Sequence, residues 1–127
     1  MAKVRIPLSV AAKTTGYTLA VDGSDFGKVF TNRGAGGSVT FTLPTPSAGI
    51  AGAYADFFTV AAQAIVIACT TNDTLVVHAD ATADSVTTAG TIGQHLRAVC
   101  DGTGWLIISN PSAASAATAV TAVTLAT

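Results

Sequence analysis

The residues best suited to chemistry are His78 and His95, together with Asp73, Asp80 and Asp84. On a strand, His78 and Asp80 would share a face, because strand side chains alternate with period 2. An imidazole beside a carboxylate can relay a proton or hold a metal. A histidine at a strand end is more often only solvated or hydrogen-bonded, and that plainer reading is favoured. Asp22 and Asp25 form a second carboxylate pair around Gly23-Ser24, where Asp and Ser oxygens bond their own backbone, so they read as turn formers. Gly34-Ala35-Gly36-Gly37 is glycine-rich, but a strand pattern follows it, so the helix N-terminus that would hold a phosphate is missing. Gly23-Ser24-Asp25-Phe26-Gly27 lacks the G-x-S-x-G spacing of a nucleophile elbow. There is no H-E-x-x-H and no cysteine pair at zinc spacing. Asn72-Asp73-Thr74 fits the glycosylation sequon, but nothing in the sequence routes the chain through a secretory pathway. The sequence therefore predicts no enzyme, no metal and no cofactor.

The elements that would position these residues are short and extended. Lys28-Val29-Phe30 and Val39-Thr40-Phe41-Thr42-Leu43 flank Thr31 to Ser38, and Val39, Phe41 and Leu43 alternate with Ser38, Thr40 and Thr42. Asn32 and the glycines can take the positive φ of a tight reversal, and Pro44 stops the ladder, so Gly27 to Pro44 predicts a β-hairpin. Val4, Ile6 and Leu8 alternate with Lys3, Arg5 and Pro7 in an extended N-terminal arm. Tyr17 to Val21 predicts a strand, as do Ala53 to Val60 and Ile65-Val66-Ile67, joined by a turn. Thr74 to His78 predicts another. Ala79 to Gly93 carries little aliphatic content and predicts a long surface loop. Leu96, Ala98 and Cys100 alternate with His95, Arg97 and Val99. The turn Asp101-Gly102-Thr103-Gly104 then leads into Trp105 to Ile108, a strong hairpin signal. Residues 111–127 are rich in Ala, Ser and Thr, with a weak final strand at Ala119 to Leu125.

Composition agrees with this reading. The chain has 127 residues, half of them apolar, and its seven acids are all Asp. Strong helix formers are scarce, whereas Thr and Val suit pleated surfaces. Turn signals recur every 10–15 residues and no βαβ unit appears, so the expectation is an all-β domain. The expected architecture is a small antiparallel β-sandwich of jelly-roll kind, with an arm at 1–9, the domain at 10–110 and a tail at 111–127. Six scattered basic residues and a net charge of −1 argue against nucleic acid as a partner. No apolar run approaches the roughly 20 residues of a spanning helix, and no signal peptide pattern opens the chain, so a membrane partner is not expected and folding in the cytoplasm of the cell that makes it is. Cys69 and Cys100 lie in apolar runs and read as reduced, buried residues. The alternative is a bridge between them, which spacing alone does not settle. Surplus apolarity at a mean hydropathy of +0.55 points to a subunit interface, the alternative being an Ala-rich monomer surface.

The run Gly-Lys-Val-Phe-Thr-Asn-Arg-Gly-Ala at 27–35, followed by Val-Thr-Phe-Thr-Leu-Pro at 39–44, resembles small β-domains of tailed-bacteriophage structural proteins. Thr91-Ile92-Gly93 and Cys100-Asp101-Gly102-Thr103-Gly104-Trp105 resemble the second half of that pattern, which together covers Val10 to Ser109. The resemblance is closest to capsid decoration (cement) proteins, and similar modules occur in tail fibres and spikes. It implies a virion structural protein on the outer capsid surface, commonly a homotrimer, whose partner is the major capsid protein and which stabilises the expanded head. On this reading Lys3, Val4, Arg5, Ile6 and Leu8 are expected to bind the capsid by strand addition. Val120, Val123 and Leu125 are expected at the interface between copies. The alternative is a fibre module that binds a host receptor or glycan through Asn32 to Gly37 and Ala79 to Gly93.

Overall fold

The computed structural model describes residues 9–77, 79–109 and 123–126. Its strands are β1 (Val10–Ala12), β2 (Tyr17–Thr18), β3 (Val29–Thr31), β4 (Val39–Leu43), β5 (Tyr54–Phe58) and β6 (Ile65–Cys69), followed by β7 (Leu75–Val77), β8 (Asp80–Ala83), β9 (Ser85–Thr88), β10 (His95–Cys100), β11 (Trp105–Ser109) and β12 (Val123–Ala126). Among the described residues the only helical element is one 3₁₀ turn, Ala48–Ile50. The chain is all-β, as its composition requires.

The strands form two sheets. A seven-stranded sheet runs β1-β3-β5-β10-β11-β7-β8, and a five-stranded sheet runs β12-β9-β6-β4-β2. From β1 to β6 the chain alternates between the sheets and adds each strand parallel to the last one placed there. Thus β1, β3 and β5 are parallel neighbours, and so are β2, β4 and β6. The β10–β11 hairpin then enters antiparallel to β5, and β7 lies parallel to β11 beyond it. The sheets are therefore mixed, and the antiparallel expectation is corrected: it rested on local hairpin signals, whereas the first half of the chain makes crossovers.

The predicted Gly27–Pro44 hairpin is corrected for the same reason. Its two strands are real, but β3 belongs to the seven-stranded sheet and β4 to the five-stranded one. Alternation fixes which side of a strand is apolar, not which strand pairs with it. Here Phe30 of β3 meets Phe41 of β4 across the core, with ring centroids 5.5 Å apart, and Phe57 of β5 completes the cluster at 5.7 and 5.0 Å from them. Likewise, β5 and β6 form where expected but pair in different sheets.

The segment expected as a surface loop between Ala79 and Gly93 contains β8 and β9. Ala83, Val86 and Thr88 are buried in the shared core, so small and β-branched residues do here what larger aliphatics do elsewhere. The Asp101–Gly104 hairpin forms as predicted, with Cys100 opposite Trp105 and Gly102 at a positive φ. Trp105 is fully buried, and its indole N–H donates to the Pro44 carbonyl at 2.8 Å, which ties β11 to the end of β4. Burial of such a side chain contributes about 1.5–3 kcal/mol. Cys69 and Cys100 are buried free thiols.

Candidate interaction surface

The strand registers build one continuous outer face on the seven-stranded sheet. Residues opposite one another share a face, so Val10, Val29, Asp56, Arg97 and Ile108 form a row across β1, β3, β5, β10 and β11. Tyr54, Val99, Leu106 and Val76 form a second row beside it. Phe58 lies opposite His95 on the other side. Inward positions on the same strands, such as Phe57, Leu96, Ala98 and Ile107, fill the core. The outer face keeps large apolar side chains in solvent: Val10 is 64% exposed, Ile108 56% and Phe58 38%. An exposed apolar face on regular strands is the kind of surface that marks contact with another macromolecule.

A closed ionic cluster sits in the middle of this face. Arg97 grips Asp56 with two bonds, Nε to Oδ1 at 2.7 Å and Nη2 to Oδ2 at 3.1 Å. His95 Nε2 lies 2.9 Å from the same Oδ1. The Arg97 guanidinium also covers the Tyr54 ring at 4.9 Å. Asp56 is only 6% exposed. Burial pushes its carboxyl up, but the hydrogen bonds and charges of Arg97 and His95 outweigh that and hold it below the usual aspartate range. The Asp56 contact in turn raises Arg97. The bidentate Arg–carboxylate pair fixes the position of the charge, and the His95 imidazole shares its acceptor oxygen.

Two further polar knots are structural. Asp25 is buried and accepts from the Tyr17 hydroxyl and the Ala20 N–H, both at 2.8 Å, with Lys28 Nζ at 3.4 Å. Burial opposes ionisation of Asp25, yet these donors prevail and its carboxyl is lowered. Asn32 is wholly buried, and its amide group makes four bonds. It accepts from the Val60 and Ala61 N–H groups at 2.8 and 2.9 Å, and donates to the Ala61 and Gln63 carbonyls at 3.1 and 3.0 Å. Of Asn32 and the glycines expected to supply the positive φ of this turn, Gly34 does so, at 85°.

Of the other sequence candidates, Asp84 meets Asp73, whose N–H it accepts at 2.9 Å across 11 residues, while Asp80 and Asp22 accept only from the nearby Thr82 and Ser24 N–H groups. His78 lies outside the described residues. Among the described residues no group of three or more His, Cys or Asp is placed to hold a metal ion, and no helix is long and apolar enough to cross a membrane. A shallow groove of about 280 Å³, lined by Val21, Phe26, Ile50 and Ala53 among others, opens at the end of the sheets that carries the 20–28 and 47–53 loops. Of the residues expected to contact other chains, Lys3, Val4, Arg5, Ile6, Leu8 and Val120 lie outside the described residues. Val123 and Leu125 belong to β12, which pairs with β9 of the same chain. The Asp56–Arg97 pair was not singled out from sequence. Its only signal is a charge at an outward position in each of two apolar strands, 41 residues apart.

No protein-family model matches the chain, and no curated protein matches it.

Proposed function

We propose that this chain is a bacteriophage virion structural protein of the capsid decoration kind, which binds the outer surface of the expanded head and stabilises it. The observation that carries the reading is the outer face of the seven-stranded sheet, where exposed Val10, Phe58 and Ile108 surround an Asp56–Arg97 pair already satisfied within the chain. Such a face offers area and shape for contact with another protein chain, as a protein that works by assembly requires. The resemblance over Val10 to Ser109 supports the same reading. Architecturally, we read the two sheets as a β-sandwich whose first half is wound in coils.

The arm at residues 3–8 is the proposed capsid anchor. It leads into Ser9, whose carbonyl accepts from the Val29 N–H at 2.9 Å beside the edge strand β1. An extended arm rooted at a sheet edge can add as a strand to another protein, where backbone hydrogen bonds supply affinity. Several modest contacts across neighbouring capsomers would combine into high avidity. Cosedimentation with undecorated expanded capsids tests this: the full chain saturates a fixed number of sites, and deletion of residues 2–9 abolishes binding while the domain stays folded. Normal capsid binding by the deleted protein would exclude the arm.

A second reading, a tail-fibre module that binds a host receptor or glycan, draws on the loops at one end of the sheets. Strand directions gather the 32–38, 59–64 and 89–94 loops there, with Arg33 and Ile92 exposed. The described residues of these loops include no Trp or Tyr on which a sugar ring could stack.

A further inference from the structure

The outer face of the seven-stranded sheet has an internal symmetry that points to its occupant. Its central row reads Val10, Val29, Asp56, Arg97, Ile108, and the boundary between acid and base falls between β5 and β10. Consider a second copy laid face to face. A twofold axis parallel to the strands, between β5 and β10, sets Asp56 over Arg97 of the second copy and Val29 over its Ile108. In the next row the same operation sets Tyr54 over Val99. Val29, Ile108, Tyr54 and Val99 thus meet apolar residues and each charge meets its opposite, while Phe58 falls over His95 of the second copy and Val10 lies at the rim of the overlap. A twofold running along the row instead would set Arg97 on Arg97 and Asp56 on Asp56, a like-charge arrangement that costs affinity.

The chemistry of the pair leaves capacity for such a contact. Arg97 spends Nε and one Nη on Asp56, its side chain is 46% exposed, and its second Nη makes no hydrogen bond among the described residues. Among the described residues Asp56 Oδ2 accepts one bond only, again from Arg97. An isologous interface requires one patch to be complementary to itself, and the patch of Val29, Tyr54, Asp56, Arg97, Val99 and Ile108 meets that condition.

We infer that the outer face of the seven-stranded sheet is the contact between two copies of this chain, paired about a twofold axis parallel to its strands. This differs from the threefold assembly implied by the family resemblance, it leaves capsid contact to the arm at residues 3–8 and not to this face, and it stands whether or not the partner of the assembled protein is a capsid. Face-to-face sheet packing about 10 Å apart would bury Ile108 against Val29 and Phe58 against His95, and shield the Arg97–Asp56 pairs from solvent.

Sedimentation equilibrium on the full chain provides the test. The wild-type protein is expected at twice the 12.6 kDa chain mass. Ile108→Asp, an exposed position that the fold tolerates, is expected to weaken pairing at least tenfold and give monomer with an unchanged circular dichroism spectrum. Arg97→Glu should do the same, and Asp56→Arg combined with Arg97→Glu should restore the dimer. Val66→Asp, on the outer face of the five-stranded sheet, should leave pairing intact. A monomeric or trimeric wild type, or an Ile108→Asp protein that still pairs with wild-type affinity, would overturn the inference.

Discussion

At the scale of single residues, Asn32 does the most unexpected work. Its side chain satisfies two backbone donors and two carbonyls of the 60–63 connection from a fully buried position. Each such bond is worth about 1 kcal/mol net, and a buried group left unpaired costs more. Asn32→Ala is therefore expected to destabilise the protein by about 3 kcal/mol or more, measured as a shift in urea midpoint. Asn32→Asp should be as severe, since it sets an oxygen where two carbonyls expect a donor. The sequence marks Asn32 only as a turn residue, because an asparagine that turns the chain and one that staples a distant loop look alike locally.

The aspartates set the acid behaviour. Asp25 and Asp56 have carboxyls held below their ordinary range by the donors around them, against the opposing effect of burial. A depressed folded-state pKa contributes stability that is present above the unfolded value, about 3.9, and is lost as pH falls through the folded value. Unfolding free energy is thus expected to decline below about pH 4, with no contribution from these carboxyls to its slope between pH 5 and 8. Asp56→Asn should flatten part of the acid decline. An acid limb unchanged in Asp56→Asn would show that the Arg97 pair does not couple to folding.

At the scale of elements, the sequence reveals strands better than their pairing. The β10–β11 hairpin was legible because Asp101-Gly102 carries its own geometry. Asp101 Oδ1 accepts from the Thr103 and Gly104 N–H groups at 2.9 and 2.8 Å, and Gly102 takes a positive φ. The β3–β4 segment presents the same kind of signal, yet its strands part company, because Phe30 and Phe41 are better buried facing one another than side by side. Strands β8 and β9 were illegible for a different reason. Their buried side chains are Ala83, Val86 and Thr88, too small and too polar on average to stand out from a loop. The ionic cluster was hidden by register, since nothing local says that Asp56 lies opposite Arg97.

Close backbone approach gives a prediction at this scale. A Cβ on Gly104 would lie 2.8 Å from the Thr74 carbonyl oxygen, which also accepts the Trp105 N–H at 2.8 Å. Neither partner is a flexible side chain, so the β11–β7 pairing must shift to admit it. Gly104→Ala is expected to cost about 1–3 kcal/mol, the usual range for overpacking, with the loss visible as a lower thermal midpoint. Gly36→Ala, where a Cβ meets nothing within 4 Å, should be nearly silent.

At the scale of the molecule, the two sheets differ on their outer surfaces. The five-stranded sheet turns Thr18, Thr40, Thr42, Ser85 and Thr87 outward, whereas the seven-stranded sheet exposes Val10, Phe58 and Ile108 around one ion pair. That asymmetry sets the seven-stranded sheet apart as the contact face, since only Val66 and Ala68 interrupt the outward hydroxyls of β4, β6 and β9 in the other sheet. Composition announced the surplus apolarity, but only the registers place Val10, Phe58 and Ile108 on one face, while Val21 and Ile92 are exposed in loops. The central claim is that the contact serves a virion. Fluorescently labelled full chain, mixed in parallel with undecorated expanded capsids and with host cells, tests it most directly by imaging. The account predicts uniform labelling of capsids and bare cells; labelled cells beside bare capsids would contradict it.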